Sequence, residues 1–390
     1  MVEAVVIVCL VRRGSCAPNT GACCWIADGS ILASVVLANQ FPAAFASWLT
    51  TEAFRGPKQL ISSYRDRRER PTPPMRLATA WDLVAVGQEA NCAQAVRNLS
   101  ELELIAGAIS QAILDAEDAV RLADTSKDWS HSMRTRVVLG NALHQAGRRE
   151  EALPHFQEAE AMLAKNPPEY PLLYLIWGFR YGDLLLSETE RWGWRRHLSF
   201  NSNEHENEAS ISLAIARCRE VEARGRKMFD WRAPSDSLLD VAADHLTLGR
   251  VVLYRAALTA REANCTEEVR TAHRHLEISV STFDRSGQEQ FIPAGLLSRA
   301  WLRFRKGDAI GARVDLDEAW DIAERGPLRL HLADIHLHRA RLFFREKPYP
   351  WKSPQDDLAA AEELISDCGY HRRDQELADA KLAILGEGKH

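Results

Sequence analysis

The stretch LGNALHQAGRREEALPHFQEA, residues 139–159, carries apolar side chains at helical spacing on both sides of one turn signal, Gly147. This pattern predicts two amphipathic helices, over 129–145 and 149–165, joined by a tight turn. Small residues at Gly140, Ala152 and Ala159 let the two helices cross closely, and the larger Phe156 fills the space between them. The stretch therefore predicts a packed helix pair.

The same arrangement recurs along the chain. Apolar periodicity and turn residues predict further pairs over 91–106 with 108–124, 170–187 with 206–228, 235–258 with 266–286, 291–306 with 308–325 and 328–345 with 355–367, and single helices over 75–88 and 371–385. The third pair is interrupted by a polar insertion from Ser187 to Glu208. One pair cannot bury its own apolar stripe, so the pairs are expected to stack into an array.

The spacing fits the tetratricopeptide repeat, a pair of helices of about 34 residues. In residues 129–165 the matching side chains are Leu139, Gly140, Leu143, Gly147, Ala152, Phe156 and Ala159, and in residues 291–325 they are Ala300, Gly307, Ala312, Leu316 and Ala319. The predicted fold class is all-α, a right-handed superhelix (α-solenoid) of about six such pairs plus end helices. It occupies residues 74–390, and residues 1–73 form a poorly ordered or irregular segment.

Composition narrows the classes of partner. The chain has 54 acidic and 49 basic side chains, a net charge of −5 and no basic block, which disfavours nucleic acid and anionic membranes. The apolar stretch from Ile31 to Trp48 is broken by Asn39, Gln40 and Pro42 and makes a poor membrane span. A cytoplasmic protein is the expectation.

Beyond the repeat, the region 74–385 resembles the C-terminal tetratricopeptide array of bacterial STAND-type signalling ATPases, which include the NACHT-like sensors. The runs that carry the resemblance are Asn98–Leu102, Ala142–Arg148, Glu169–Tyr174, Asp244–Arg250, Ala323–Gly326, Arg329–Asp334 and Gly369–Asp374. The resemblance implies a sensor and interaction region, preceded in that family by an NTPase and an effector domain. The sequence has no G-x-x-x-x-G-K-[ST] motif, so we expect a sensor end separated from its motor.

The residue patterns do not indicate an enzyme, a metal or a cofactor. The eight cysteines lack the two close pairs of a zinc site, and His331 and His338 with Asp334 lack the spacing of a metalloprotease helix. No G-x-S-x-G nucleophile motif is present. Carboxylates such as Asp115 and Asp315 are expected on solvated helix faces.

A tetratricopeptide superhelix binds its partners in a concave groove lined by the first helix of each pair. Transferring those repeat positions to this sequence gives the partner-binding candidates Arg134, Asn141, His144, Gln145, Ser298, Trp301, Arg305, Asp334, His338 and Arg341. Such a mixture of aromatic, polar and arginine side chains suits an extended peptide or a helix of a protein partner. A ligand-responsive regulator is the alternative prediction, and an enzyme with its site in residues 1–73 is disfavoured because that segment has no assembled catalytic set. For the candidate residues themselves, ordinary groove lining without a selected partner is the competing interpretation.

Overall fold

The computed structural model describes residues 89–166, 170–198, 208–233, 236–259 and 267–386, together with four short strands near the N-terminus. Strand β1 (Val6–Cys9) pairs antiparallel with β4 (Ser34–Leu37), and β2 (Ile26–Ala27) pairs antiparallel with β3 (Ser30–Ile31). The remainder of the segment predicted to be irregular, 1–73, and the helix predicted over 75–88 lie outside the described residues.

From residue 89 onward the described chain is helical. Its thirteen α-helices are α1 (Glu89–Ile105), α2 (Ile109–Ser126), α3 (Trp129–Gln145), α4 (Arg149–Leu163), α5 (Leu175–Leu198), α6 (Glu208–Asp230), α7 (Leu238–Leu258), α8 (Glu267–Ser286), α9 (Ile292–Arg305), α10 (Ala309–Arg325), α11 (Arg329–Phe343), α12 (Pro354–Cys368) and α13 (Asp374–Gly386). Short 3₁₀ turns, Glu289–Phe291 and His371–Arg373, precede α9 and α13.

Helix boundaries follow from capping chemistry. The Asp128 side chain accepts hydrogen bonds from the backbone N–H groups of Ser130 and His131 and so begins α3. Asp308 begins α10 in the same way, through the N–H of Gly311. The turn between α3 and α4 has Gly147 at φ 75°, a left-handed conformation that glycine adopts without strain.

Consecutive helices pack on one another from α1 to α4 and from α7 to α12, and α5 packs against both α6 and α7. This neighbour-to-neighbour packing is that of an α-solenoid, so the predicted all-α array is confirmed. One continuous apolar core runs through the stack. In the best-matched pair, Phe156, Ala152 and Ala159 are fully buried between α3 and α4.

The third pair differs from its prediction. Instead of a helix over 170–187 followed by a polar insertion, α5 runs from Leu175 to Leu198. Its second half buries Thr189, Glu190 and Trp194, which share one face at spacings of one, four and five residues. Because two of these residues are polar, the buried face does not look apolar in the sequence, and Trp194 belongs to a helix rather than to the expected loop.

The end of the helical array contacts its beginning. Helix α13 packs against α5 and α11, and the 3₁₀ turn His371–Arg373 packs against α3. At Gly147 an added Cβ would lie 2.9 Å from the backbone carbon of His371, so only glycine fits this contact. The predicted last helix, 371–385, therefore begins three residues late because its first residues form a docked 3₁₀ turn.

Replacing Gly140 with alanine should destabilise the fold. A Cβ at this position would lie 2.9 Å from two ring atoms of Phe156, which is fully buried, and 3.3 Å from the Ala152 carbonyl oxygen. We expect the free energy of unfolding to fall by about 1–2 kcal/mol in a urea titration followed by circular dichroism. At Gly182, another helix-interior glycine, the nearest atoms are 3.5 and 3.6 Å away. Gly182→Ala should therefore be neutral or stabilising, and equal losses in both variants would contradict the close crossing.

Candidate ligand-binding site

The first helices of successive pairs meet around one cavity. This partly open space of about 180 Å³, hereafter the central cavity, is enclosed by residues of α1, α3, α5, α7, α9 and α11 and of the segment 370–373. The residues that line it are Glu101, Leu104, Ile105, Asn141, Gln145, Phe179, Arg180, Asp183, Arg250, Gln290, Phe291, Ala294, Leu328, Leu330, His331, Asp334, Tyr370, Arg372 and Arg373. We call the cavity-facing side of these helices the inner face.

Asp183 of α5 is the centre of a buried ion-pair network. Its carboxylate accepts hydrogen bonds from both terminal nitrogens of Arg372 and, at 3.2 Å, from Nη1 of Arg250. His144 Nε2 lies 3.5 Å from the same carboxylate. A buried carboxylate needs such partners, because burial without them carries a large desolvation cost. Asp183 thereby ties α3, α5 and α7 to the turn that precedes α13.

The neighbouring Arg373 completes the attachment of that turn. Its Nε donates to Asp334 Oδ1 at 2.8 Å, and its Nη1 lies 3.2 Å from Glu190 Oε2 and also pairs with Glu376. The hydroxyl of Tyr370 donates to Asp334 Oδ2 at 3.2 Å. Residues 370–373 are thus bound by carboxylates of two inner helices, α5 and α11, and by one of α13.

The network fixes the charge states of its members. Burial alone would raise the pKa of Asp183, but Arg372, His144 and Arg250 outweigh it and hold that pKa well below its ordinary value. Burial likewise opposes ionisation of Glu190, yet the two adjacent arginines, Arg373 and Arg372, lower its pKa to about 2. Both carboxylates are therefore ionised at neutral pH.

Beside the network lies an aromatic cluster. The indoles of Trp194 and Trp301 stack with ring centroids 3.7 Å apart, and the guanidinium of Arg341 lies 4.8 Å from the Trp194 ring. His338 packs edge-on against Trp194 and donates from Nδ1 to the Asp334 carbonyl at 2.7 Å. Burial, reinforced by the charge of Arg341, lowers the pKa of His338 to about 4, so this imidazole is neutral at pH 7.

The structure divides the sequence-predicted site residues into four groups. Asn141, Gln145 and Asp334 line the central cavity, while Ser298, Trp301 and His338 line a smaller adjoining cavity of about 30 Å³, which Asp334 also borders. His144 and Arg341 are buried in the network itself. Arg134 and Arg305 are half-buried and line neither cavity; Arg305 donates to the Ala256 carbonyl. That these ten residues bind a protein partner stays a prediction.

Sequence reasoning missed the residues that organise the site: Asp183, Glu190, Arg250, Arg372 and Arg373. Arg372 and Asp183 are 189 positions apart, so no local pattern joins them. The run Gly369–Asp374, which contributed to the family resemblance, contains both arginines of the turn, but its sequence alone gives no partner for them.

The expectation that Asp315 lies on a solvated helix face is wrong. Its side chain is fully buried and pairs with Arg299 and Arg303 at 2.7 and 2.8 Å. Asp115 is also buried. Asp315 faces α9, the first helix of its own pair, which supplies both arginines.

In the described part of the chain, no three histidine, cysteine, aspartate or glutamate side chains are grouped so that they could hold a metal ion. None of the described helices combines the length and the apolar character needed to cross a membrane.

Comparison of the sequence with protein-family models finds no matching family. Comparison with curated proteins finds no significant match either. The function has to be inferred from the geometry of the inner face and the cavity.

Replacement of Asp183 by asparagine tests whether the network holds the fold closed. The substitution keeps the shape of the side chain but removes the carboxylate partner of Arg250 and one of the two carboxylates that Arg372 meets, so that Arg372 keeps only Glu190. We expect the free energy of unfolding to fall by about 3–5 kcal/mol in urea titrations. Glu151→Gln, which removes the exposed partner of Arg148, is the control and should leave the urea midpoint unchanged. An Asp183→Asn protein as stable as the control would refute the assignment.

The buried His338 predicts a loss of stability on mild acidification. Its pKa is about 4 in the folded chain and near 6.5 in the unfolded chain, so between these values the unfolded state binds more protons. Stability from this group is complete above pH 6.5 and should decline by about 2 kcal/mol on going from pH 7 to pH 5.

The charged groups that bear on His338 are Arg341, Asp334 and Glu190. His338→Asn retains a donor near the position of Nδ1 but cannot titrate. Urea titrations at pH 7 and pH 5 should show a smaller pH-dependent loss in this variant than in the parent protein. An unchanged difference would mean that His338 does not contribute to the pH dependence.

Proposed function

We propose that the helical array is of the tetratricopeptide type. The support is a repeated spacing at the helix crossings, in which a small residue is followed after four positions by a filling residue and after three more by another small one. Three helices follow this spacing with residues that are all buried: α4 with Ala152, Phe156 and Ala159, α10 with Ala312, Leu316 and Ala319, and α8 with Ala272, Leu276 and Ser279. In the first pair, buried Ser100 faces the second helix and donates to the Ala112 carbonyl at 2.7 Å.

We further propose that the protein is a non-catalytic interaction module whose inner face recognises polypeptide. One observation carries this proposal: the inner face already binds a polypeptide segment, residues 370–373 of the same chain. Asp183 and Glu190 of α5 and Asp334 of α11 receive that segment through its arginines and its tyrosine hydroxyl.

The contacts define the chemistry of a partner. The resident segment presents an aromatic hydroxyl, and guanidinium groups two and three positions later, to three fixed carboxylates. Arginine is the side chain best suited to binding a carboxylate through two parallel hydrogen bonds. A partner peptide with the same pattern would bring a hydroxyl and two guanidinium groups to the carboxylates of the inner face in place of those of residues 370–373. The network would then stay complete, and no buried carboxylate would lose its partner.

The resident segment competes with any such partner. Because residues 370–373 are joined covalently to α12 and α13, their local concentration is in the millimolar range typical of tethered segments. A partner therefore binds well only if it makes additional contacts or if the tether is loosened. This arrangement suits a sensor that stays closed until its partner is present. The narrower proposal of a sensor part of a STAND-type signalling protein rests on the sequence runs quoted above.

The test uses the full chain with Arg372→Ala and Arg373→Ala combined, and a fluorescent synthetic peptide covering residues 369–376. With the two arginines removed, Asp183, Glu190 and Asp334 should bind the arginines of the added peptide. Fluorescence anisotropy should give a dissociation constant at least tenfold lower for the double variant than for the parent protein, whose own turn occupies the site.

Two controls accompany this measurement. Arg313→Ala with Arg325→Ala removes two arginines of α10 that lie far from the turn in the sequence, and this variant should bind no more peptide than the parent does. A peptide with both arginines replaced by glutamine should bind neither variant. If the double variant retains its helical circular dichroism and still does not bind the peptide, the inner face is not a polypeptide-recognition surface.

A further inference from the structure

The central cavity remains open although the resident segment occupies part of the inner face. Its volume is about 180 Å³. A single buried water needs roughly 10–15 Å³ by a comparable measure, and an apolar cavity of about 150 Å³ admits a benzene molecule. The cavity therefore has room for a compact organic molecule, but it is smaller than the roughly 300–1,000 Å³ of pockets for drug-sized ligands.

Two kinds of side chain line the cavity. Leu104, Ile105, Phe179, Phe291 and Leu330 supply apolar surface that suits a branched aliphatic or aromatic group. The ion-pair network and the amides of α3, Asn141 and Gln145, supply the polar part of the lining. Such a combination of an apolar wall with a few placed polar groups is typical of small-molecule sites.

The charges around the cavity are already matched within the protein. Arg180 pairs with Glu101 at 2.6 Å, and Arg250 pairs with Asp183 at 3.2 Å. Arg372 and Arg373 pair with Asp183, Asp334 and Glu190. A ligand with a net charge would lose its hydration and find no free counter-charge, so the site disfavours it. An uncharged ligand meets no such penalty, whereas a zwitterion would lose the hydration of both of its charged groups.

We propose that the central cavity is a binding site for a small, uncharged, amphipathic molecule. Its body is a branched aliphatic or aromatic group, and its polar head is an uncharged group such as a primary amide, which can exchange hydrogen bonds with the amides of Asn141 and Gln145. The site exists with residues 370–373 in place, so its test does not require the proposed recognition of polypeptide.

Four probes with nearly the same branched body separate the possible heads: 4-methylpentanamide (neutral), leucine (zwitterionic), 4-methylpentanoate (anionic) and 3-methylbutylamine (cationic). Binding to the full-length protein is measured by saturation-transfer NMR and by thermal shift. We expect 4-methylpentanamide to bind tenfold more tightly than each of the three charged probes, and to raise the melting temperature by about 2–4 °C at ten times its dissociation constant.

A filled cavity supplies the second arm of the experiment. Leu330→Trp places a larger ring at the apolar wall and should abolish probe binding, and Ile105→Phe does the same from α1 should the first variant lose its helical circular dichroism. Ile310→Trp, on the exposed face of α10, is the matched control and should bind as the parent does. The proposal is overturned if no probe binds, if a charged probe binds as well as the amide, or if binding survives in a folded cavity-filled variant.

Discussion

The salt bridges between Arg372 and Arg373 and the carboxylates of α5 and α11 determine how the whole helical array is arranged. A stack of helix pairs needs only contacts between neighbours and has no intrinsic reason to bring its ends together. Here the segment before α13 reaches residues almost 190 positions earlier in the chain, and each of its guanidinium groups meets more than one carboxylate. Because each charged partner left alone would be a buried unpaired charge, the closed arrangement forms as a unit.

Closure and the central cavity are two consequences of the same contacts. The inner helices would present an open surface without residues 370–373, and with them they enclose a space of about 180 Å³ in which Arg372 forms part of the wall. A molecule bound in the cavity and a polypeptide that displaces the turn therefore act on the same side chain. By linkage, a cavity ligand that needs the closed turn would oppose entry of a competing polypeptide, and the polypeptide would weaken the ligand to the same degree.

The sequence predicts the local structure of this protein better than its site. Residues 129–145 form the predicted helix because its periodicity, its Asp128 cap and its glycine turn agree with one another. The inner-face assignment also brings Asn141, Gln145 and Asp334 to the cavity. It could not show that Trp301, His338 and Arg341 are covered, because the residues that cover them, such as Trp194 on the half of α5 not recognised as helix, come from distant parts of the chain.

The contact that closes the array is made by arginine and carboxylate side chains rather than by apolar ones. Replacing a buried ion pair by apolar residues of similar volume is often neutral or stabilising, so stability alone does not account for the network. A planar guanidinium bound on two edges fixes direction and register in a way that an apolar contact does not. On the inner face this allows one arrangement of residues 370–373, with Tyr370 against Asp334 and Arg372 against Asp183, and that arrangement sets the size and polarity of the cavity beside it.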